Sequence, residues 1–313
     1  MDLSNNSSQI EPVNVRKLIQ TLKDIKSLKE SYPKSIEVAV KSNYTQIKIS
    51  KQLKYDITAE IELSYAENNW IIAAHNFPEK AASSLLKIGS SMSLKSAVEG
   101  FLLLINNLQN YFESLYILDL NCIVLEPHEK LMSINWRLIK YSKFAFIKIE
   151  FVDPLDVNNF NVTFYGKDHI IKELNAAYST NSYYDEDEID IYQKLCIKLK
   201  ILEFPYTNRA EDNDECSICL CQHNEQNESP IVCCENPRCD QLFHASCLNQ
   251  HLNINSYKVL SVAVGECPFC KQKISSNFSG FMKKQQDIAE QNRLDRMVEN
   301  SMIITDKMDT TQI

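Results

Sequence analysis

The hydrophobic positions change period along the chain, and the changes divide it. Between residues 13 and 29, Val15, Leu18, Ile19, Leu22, Ile25 and Leu28 recur at steps of three and four, which predicts an amphipathic helix stopped by Tyr32-Pro33. The period then falls to two. Ile36, Val38 and Val40 alternate with polar or small residues, Thr45, Ile47 and Ile49 do the same, and Ile57, Ala59, Ile61, Leu63 and Tyr65 continue the pattern. Trp70 to Ala74 adds a short strand, so the segment predicts an antiparallel meander with one solvated face. After a loop around Phe77-Pro78, the stripe Leu94, Val98, Phe101, Ile105, Leu108, Phe112 and Leu115 predicts one long helix that covers the sheet. The arrangement then repeats. Strands are expected at 132 to 139, 144 to 152 and 161 to 166, followed by a helix from Glu186 to about Lys200. Its face carries Ile189, Tyr192, Leu195 or Cys196, and Leu199. The acidic run Asp185 to Glu188 reads as its cap and a solvated turn.

Two successive lobes, each a small meander with a covering helix, give an α+β class and resemble the RWD fold, a relative of ubiquitin-conjugating enzymes. Those enzymes place a nucleophilic cysteine in a His-Pro-Asn context that surrounds neither Cys122 nor Cys196, so both read as core thiols and the lobes as scaffolds without a nucleophile. His75, His128 and His169 stand singly along the sequence. The expected layout is a disordered 1-12, lobes at 13-118 and 119-206, a polar linker at 207-215, a cysteine-rich module at 216-280 and a weakly helical polar tail at 281-313.

Composition narrows the chemistry. A chain with five glycines and no phosphate-cradling pattern does not predict a nucleotide loop. The first residues carry neither a basic nor an apolar signal region, and Leu102 to Ile105 is the longest aliphatic run, so neither a secretory leader nor a membrane span is expected. The 11 cysteines are then expected in a reducing compartment, where a dense cluster means metal and not disulfides.

That cluster runs from Cys216 to Cys270: C-S-I-C, fourteen residues, C-E-N-P-R-C-D-Q-L-F-H-A-S-C, nineteen residues, C-P-F-C. Each close pair supplies half of a tetrahedral site, so the spacing predicts two zinc ions. A cross-brace is expected, with Cys216, Cys219, His244 and Cys247 on the first ion and Cys234, Cys239, Cys267 and Cys270 on the second. Interleaving lets a segment with little core fold around metal, because a structural zinc supplies roughly 10–16 kcal/mol. Cys233 and Cys234 are adjacent and only one can face the ion. Cys234 is the better ligand, because Asn236 and Pro237 can turn the loop to Cys239, and Cys233 remains the alternative. Four protein ligands leave neither ion an open position for catalysis. The segment 211 to 280 holds nine Asp/Glu against four Lys/Arg, within a net charge of −8, which favours protein partners over nucleic acid.

This ligand order is shared by PHD fingers, which read histone tails, and by a minority of RING domains, which bind a charged ubiquitin-conjugating enzyme. PHD fingers usually carry a Trp where this chain has Gly265. The RING features are present: Ile218 and Leu220 at the first knuckle and Pro268 and Phe269 in the last predict a shallow apolar groove, with Leu248 and Leu252 as its floor. The segments C-E-N-P-R-C-D-Q-L-F-H-A-S-C-L and G-E-C-P-F-C resemble the RING of the Fanconi anaemia L family of ubiquitin ligases, which also places a double-RWD region before it. The resemblance implies that the eight ligands bind zinc and that Ile218 and Leu220 contact the conjugating enzyme. His251 stands where the family has a Trp, which alters the contact with that enzyme. Lys271 takes the place of a cation that touches ubiquitin in many RINGs. The family's extra N-terminal domain is not expected in this sequence. The resemblance further implies transfer of a single ubiquitin to the paired clamp substrates of crosslink repair, held by the lobes. It also implies partnership with Fanconi anaemia core complex subunits and a nuclear location with a cytoplasmic pool. The alternatives are a PHD-like histone-tail reader and a RING scaffold without ligase activity.

Overall fold

The computed structural model describes residues 15–32, 35–41, 45–66, 69–86, 88–129, 131–180, 189–204, 214–255, 257–259 and 262–275. The expectations for residues 1–12, for Pro33, for the acidic run 185–188, for most of the linker and for the tail 281–313 lie outside them. The chain divides into two compact units. One comprises residues 1–120, 129–136 and 150–160, and the other 121–128, 137–149 and 161–313.

In the first unit, α1 (Val15–Ser31) leads into β1 (Glu37–Val40), β2 (Gln46–Gln52), β3 (Thr58–Ala66) and β4 (Asn69–His75), which form the expected meander in the order β1-β2-β3-β4. Register explains the core: Ile47 pairs Leu63 and Ile49 pairs Ile61, so these four side chains share one face and are fully buried. Past β4 the Asn76 side chain continues the ladder, accepting from the Glu60 N–H and donating to the Thr58 carbonyl, both at 2.8 Å. The helix face differs from the expectation. Thr21, Ile25 and Leu28 are buried, whereas Ile19 and Leu22 are 48% and 47% exposed, because they lie off the 21/25/28 row that the helical turn aligns.

The loop expected after Phe77-Pro78 holds a short helix, α2 (Glu79–Leu85), whose buried side chains are only Ala81 and Ala82, too small to mark a stripe. The long covering helix is two helices, α3 (Leu94–Asn107) and α4 (Gln109–Asn121), which break at Leu108. Asn106 and Asn107 weaken helical continuity there. The Leu108 N–H divides between the carbonyls of Leu104 (3.0 Å) and Ile105 (3.2 Å), yet its side chain stays buried, so the stripe runs through the break. Tyr111 on α4 donates its hydroxyl to the carbonyls of Met132 (3.1 Å) and Ile134 (3.2 Å) and sets its ring edge against Phe151 at 5.3 Å.

The second sheet has the order β5-β6-β7-β8, built from β5 (Val124–Glu126), β6 (Trp136–Ser142), β7 (Ala145–Asp153) and β8 (Asp156–Gly166). Ala145, Ile147, Ile149 and Phe151 are buried as their alternation requires. The strand expected at 132 to 139 starts later, at Trp136. β5 was not expected, because three half-buried residues carry no period. β8 begins earlier than 161, through the exposed polar stretch Asn158-Asn159. Helix α5 (Asp168–Thr180) was also missed, although Ile170, Ile171, Leu174, Ala177 and Tyr178 recur at helical steps along it; of these only Leu174 is fully buried. α6 (Ile191–Leu199) starts later than Glu186, where the Asp190 carboxylate accepts the Gln193 N–H at 2.8 Å. Cys122 and Cys196 are buried, as their core assignment requires.

The cysteine-rich module adds β9 (Val232–Cys233), β10 (Leu242–Phe243), α7 (Ala245–Asn255), β11 (Tyr257–Val259), β12 (Val262–Glu266) and β13 (Lys273–Ser275). β9 pairs β10, and β12 lies between β11 and β13.

Gly166 ends β8 at φ +131°, and a Cβ there would meet the Phe144 carbonyl oxygen at 2.0 Å. This close approach lets the Lys167 N–H bond that same oxygen at 3.0 Å. Gly166→Ala is expected to destabilise the protein by about 3 kcal/mol or more, through strain and a backbone clash together. Gly89→Ala, at φ +72° with nothing within 4 Å, should lose only about 1 kcal/mol. Urea unfolding of both variants measures the difference, and equal losses would show that the Phe144 contact does not constrain the turn.

Candidate metal centre

Two knuckles of like construction open and close the module. In the first, Cys216 to Cys219, the Leu220 N–H closes the turn on the Cys216 carbonyl at 2.7 Å. In the last, Cys267 to Cys270, the Lys271 N–H closes on the Cys267 carbonyl at 3.1 Å. The closing residues are left-handed, Leu220 at φ 59° and Lys271 at φ 62°, a conformation that costs a side-chain-bearing residue about 1–2 kcal/mol. The last knuckle is the turn of the β12–β13 hairpin, where Glu266 pairs Lys273. The middle donors come from the β9–β10 hairpin and the helix after it. Asn236 turns the hairpin loop: its carbonyl accepts the Cys239 N–H at 2.9 Å and its side chain accepts the Arg238 N–H at 3.0 Å. His244 and Cys247 follow at the start of α7, where the Glu228 carboxylate accepts the Ser246 hydroxyl (2.6 Å) and N–H (3.3 Å).

These elements bring together the eight residues singled out by their spacing. Cys216, Cys219, His244 and Cys247 form one set, Cys234, Cys239, Cys267 and Cys270 the other, and within each set the donor atoms lie within 4.8 Å of one another. A tetrahedral zinc with Zn–S bonds of about 2.3 Å needs donors about 3.8 Å apart. Cys219 Sγ lies 3.3 Å and Cys247 Sγ 3.7 Å from His244 Nδ1, Cys234 Sγ 3.5 Å from Cys270 Sγ, and Cys239 Sγ 3.9 Å from Cys267 Sγ. The donors therefore fit a tetrahedral ion in both places.

The surroundings agree. His244 donates its Nε2–H to the Gln222 carbonyl at 3.2 Å, which leaves the Nδ1 lone pair for an ion. Burial by itself pushes the Cys216 thiol up, but the His244 side chain and the N–H groups of Cys219, His244 and Ile218 outweigh it and bring it down to about 6. Burial, and then neighbouring sulfurs, push Cys234 and Cys247 up, Cys247 to about 12, whereas hydrogen bonds from the Gln272 N–H and the Asn236 side chain bring Cys270 down to about 6. Cys233 belongs to neither set. Its thiol faces the carbonyls of Ile231 (3.7 Å) and Phe144 (4.0 Å), and burial pushes it up to about 12.

The groove residues divide by depth. Leu220 is 71% and Phe269 51% exposed, one at each knuckle, while Pro268 and His251 are half-buried. Ile218 is partly buried and packs on the module's core. Leu248 and Leu252 are fully buried in that core beside Val232, Phe243 and Ile274, so they support the surface from beneath instead of lining it. They drop out as direct contacts, because α7 turns this face inward to fill a small core. Lys271 is exposed and donates to the Pro268 carbonyl at 3.0 Å, a bond it would exchange for any other acceptor. His128, single along the sequence, meets the His223 ring edge to face at 3.9 Å.

Comparison with known proteins matches two stretches of the chain. Residues 110–207 match the FANCL UBC-like domain 3 and residues 212–279 the FANCL C-terminal domain. The chain is similar to the E3 ubiquitin-protein ligase Fancl of Drosophila melanogaster, 24% identical over 224 residues, covering 68% of this chain and 59% of that one. It is similar also to the E3 ubiquitin-protein ligase FANCL of Mus musculus, 31% identical over 194 residues, covering 60% of this chain and 51% of that one. It thus spans between half and three-fifths of these relatives' length. A crystal structure of FANCL superposes with a TM-score of 0.66 at 23% identity, covering 83% of this chain and 71% of the other, a likeness of fold.

Cys233→Ser is expected to keep both metal ions, whereas Cys234→Ser should release one, because only the second sulfur faces a donor set. Elemental analysis of the purified variants decides it, and loss of metal from Cys233→Ser alone would reverse the assignment.

Proposed function

We propose that this chain, which belongs to the FANCL family, is a RING-type ubiquitin-protein ligase that binds two zinc ions and recruits a ubiquitin-conjugating enzyme through its two knuckles. The observation that carries this reading is the pairing of interleaved Cys/His sets with large apolar side chains, Leu220 and Phe269, held outward at the first and last knuckle. The donor sets, three sulfurs with one imidazole nitrogen and four sulfurs, favour zinc over harder cations.

The zinc ions, when bound, hold the knuckles in place and take no part in the chemistry. Leu220, Phe269 and the flanks of Ile218 and Pro268 remove apolar surface of the conjugating enzyme from water, and half-buried His251 edges that contact. No nucleophile on this chain is needed. The conjugating enzyme carries ubiquitin as a thioester, and the ligase contributes proximity and a restrained geometry. Lys271 is placed just after the last donor, exposed, where its ammonium can meet ubiquitin as a point charge. The UBC-like lobes serve as the substrate holders, with the paired clamp proteins of the Fanconi anaemia pathway as the substrate, single-ubiquitin transfer to a lysine as the product, and core complex subunits as partners. The site of action is the nucleus, with a cytoplasmic pool. A histone-tail reader gains nothing from this geometry: Gly265, the position of the PHD tryptophan, lies within β12 opposite Ile274.

Leu220→Ala removes about three carbon groups, worth roughly 2 kcal/mol when buried against a partner, or about thirty-fold in affinity. Metal content and melting temperature should hold, since the side chain is exposed and makes no core contact that the fold requires. The measurement is ubiquitin discharge from a panel of charged conjugating enzymes, with binding affinity alongside. Discharge by the wild-type chain that Leu220→Ala weakens supports the ligase. No discharge with any conjugating enzyme, or discharge indifferent to Leu220, removes it.

A further inference from the structure

The metal module shares one compact unit with residues 121–128, 137–149 and 161–166, which hold β5 and parts of β6, β7 and β8, and the contacts between them reach separate segments of the module. Before the first knuckle, Asp214 pairs with Lys140 of β6, Oδ2 to Nζ at 2.5 Å, with both side chains largely buried. Between the first and second donor pairs, the Ser229 N–H reaches Glu126 of β5 at 2.6 Å and its hydroxyl donates to the Leu125 carbonyl at 3.3 Å. At the second metal loop, Glu235 accepts the Asp168 N–H at 2.9 Å, at the first turn of α5. Lys167 lies at the centre of this last contact. Its side chain is 4% exposed, and its ammonium stands 4.0 Å from the Phe144 ring centre, 3.8 Å from the Asp240 carboxylate, 3.2 Å from the Cys239 carbonyl and 3.5 Å from the Asn236 carbonyl.

A buried ammonium is a poor way to gain stability, because an apolar side chain of similar volume commonly packs as well without the desolvation. What it adds is direction: an ammonium donating to two carbonyls of one loop accepts a single placement of that loop. Gly166 supports the same demand from behind, since its φ of +131° draws Lys167 against Phe144.

We propose that Lys167 is a positioning residue: it latches the second metal loop to the UBC-like lobe, and the latch fixes the direction in which ubiquitin is presented to an acceptor lysine. The proposal rests on the ligase reading above. The knuckles that would bind the conjugating enzyme are rigidly joined to the metal loops, so a lobe that holds the loop also aims the enzyme. Aim matters because a misplacement of about 1 Å in a reacting pair costs roughly 10²-fold in rate. A loosened latch leaves the conjugating enzyme bound and active but poorly aimed.

The test uses the full chain and its own lysines as acceptors, in wild type, Lys167→Met and Glu235→Ala. Metal content and melting temperature establish the fold. Discharge of a charged conjugating enzyme onto free lysine reports enzyme recruitment, and mass spectrometry maps the self-modified lysines. The expected result is discharge onto free lysine within about two-fold of wild type, while the lysine preferred by wild type loses about ten-fold and others gain, since aim and not recruitment has changed. The same lysines modified at the same rates in both variants would overturn the latch. Where Lys167→Met fails to fold, Glu235→Ala decides, because its side chain is exposed. Where wild type discharges no conjugating enzyme, the ligase reading fails by itself. Hydrogen exchange at the Ser229 and Asp168 amides then decides the latch: protection in wild type that Lys167→Met loses supports it, and unchanged protection overturns it.

Discussion

Four donor atoms converge on one point only if the backbone behind each is already turned toward it, and this demand shapes everything between Cys216 and Cys270. The module has a small core in which Val232, Phe243, Leu248, Leu252 and Ile274 pack beside four of its own ligating cysteines. So few side chains do not offset the conformational entropy of ordering such a segment, and metal bonds at the two donor sets would make up the difference. The left-handed closures at Leu220 and Lys271 show where that energy goes: side-chain-bearing residues hold a conformation they disfavour because the sulfurs on either side require it.

The convergence also explains the division of the groove into depth classes. With the core so small, α7 turns Leu248 and Leu252 inward, and among the described residues Leu220 and Phe269 stay largely exposed, Phe269 meeting only one edge of the core at the Phe243 ring. Exposure of these side chains thus follows from the scale of the module. A larger domain would cover such groups, whereas under the function proposed above this one would leave them to the conjugating enzyme. The UBC-like lobe faces the opposite circumstance. Its sheet buries ample apolar surface, and it spends polar groups, Glu126, Lys140 and Lys167, on holding the module.

Much of this was legible in the sequence, and most of the misses have physical causes. Strict alternation marked the first meander, because one face of β2 and β3 is fully buried and the other wet. Pair spacing in the cysteine cluster gave both donor sets, since two sulfurs on one knuckle leave little freedom in how they meet an ion. Helix α2 escaped because alanines leave no mark, whereas α5 carried a readable row in Ile171, Leu174 and Tyr178 that was passed over. The break at Leu108 was hidden by a stripe that continues through it. Leu248 and Leu252 were expected to line the groove's floor, and they lie deeper than that, because a helical row tells which residues share a face and not how far the face turns inward. The polar contacts at Glu126, Lys167 and Glu235 had no signal at all: they are long-range meetings of ordinary charged residues, visible only once the sheet edge and the metal loop are in place.

The interleaving of the donor sets also has a meaning in time. The first set is complete once the chain has been made as far as Cys247, whereas the second needs Cys267 and Cys270. Synthesis at roughly 5–20 residues per second takes about one to five seconds to travel from Cys247 to Cys270. A chain leaving the ribosome therefore offers one full tetrahedron while Cys234 and Cys239 wait as half of another, with Cys233 beside them. The order of translation favours loading the imidazole-containing site first, and the all-sulfur site becomes the clasp that closes the module last.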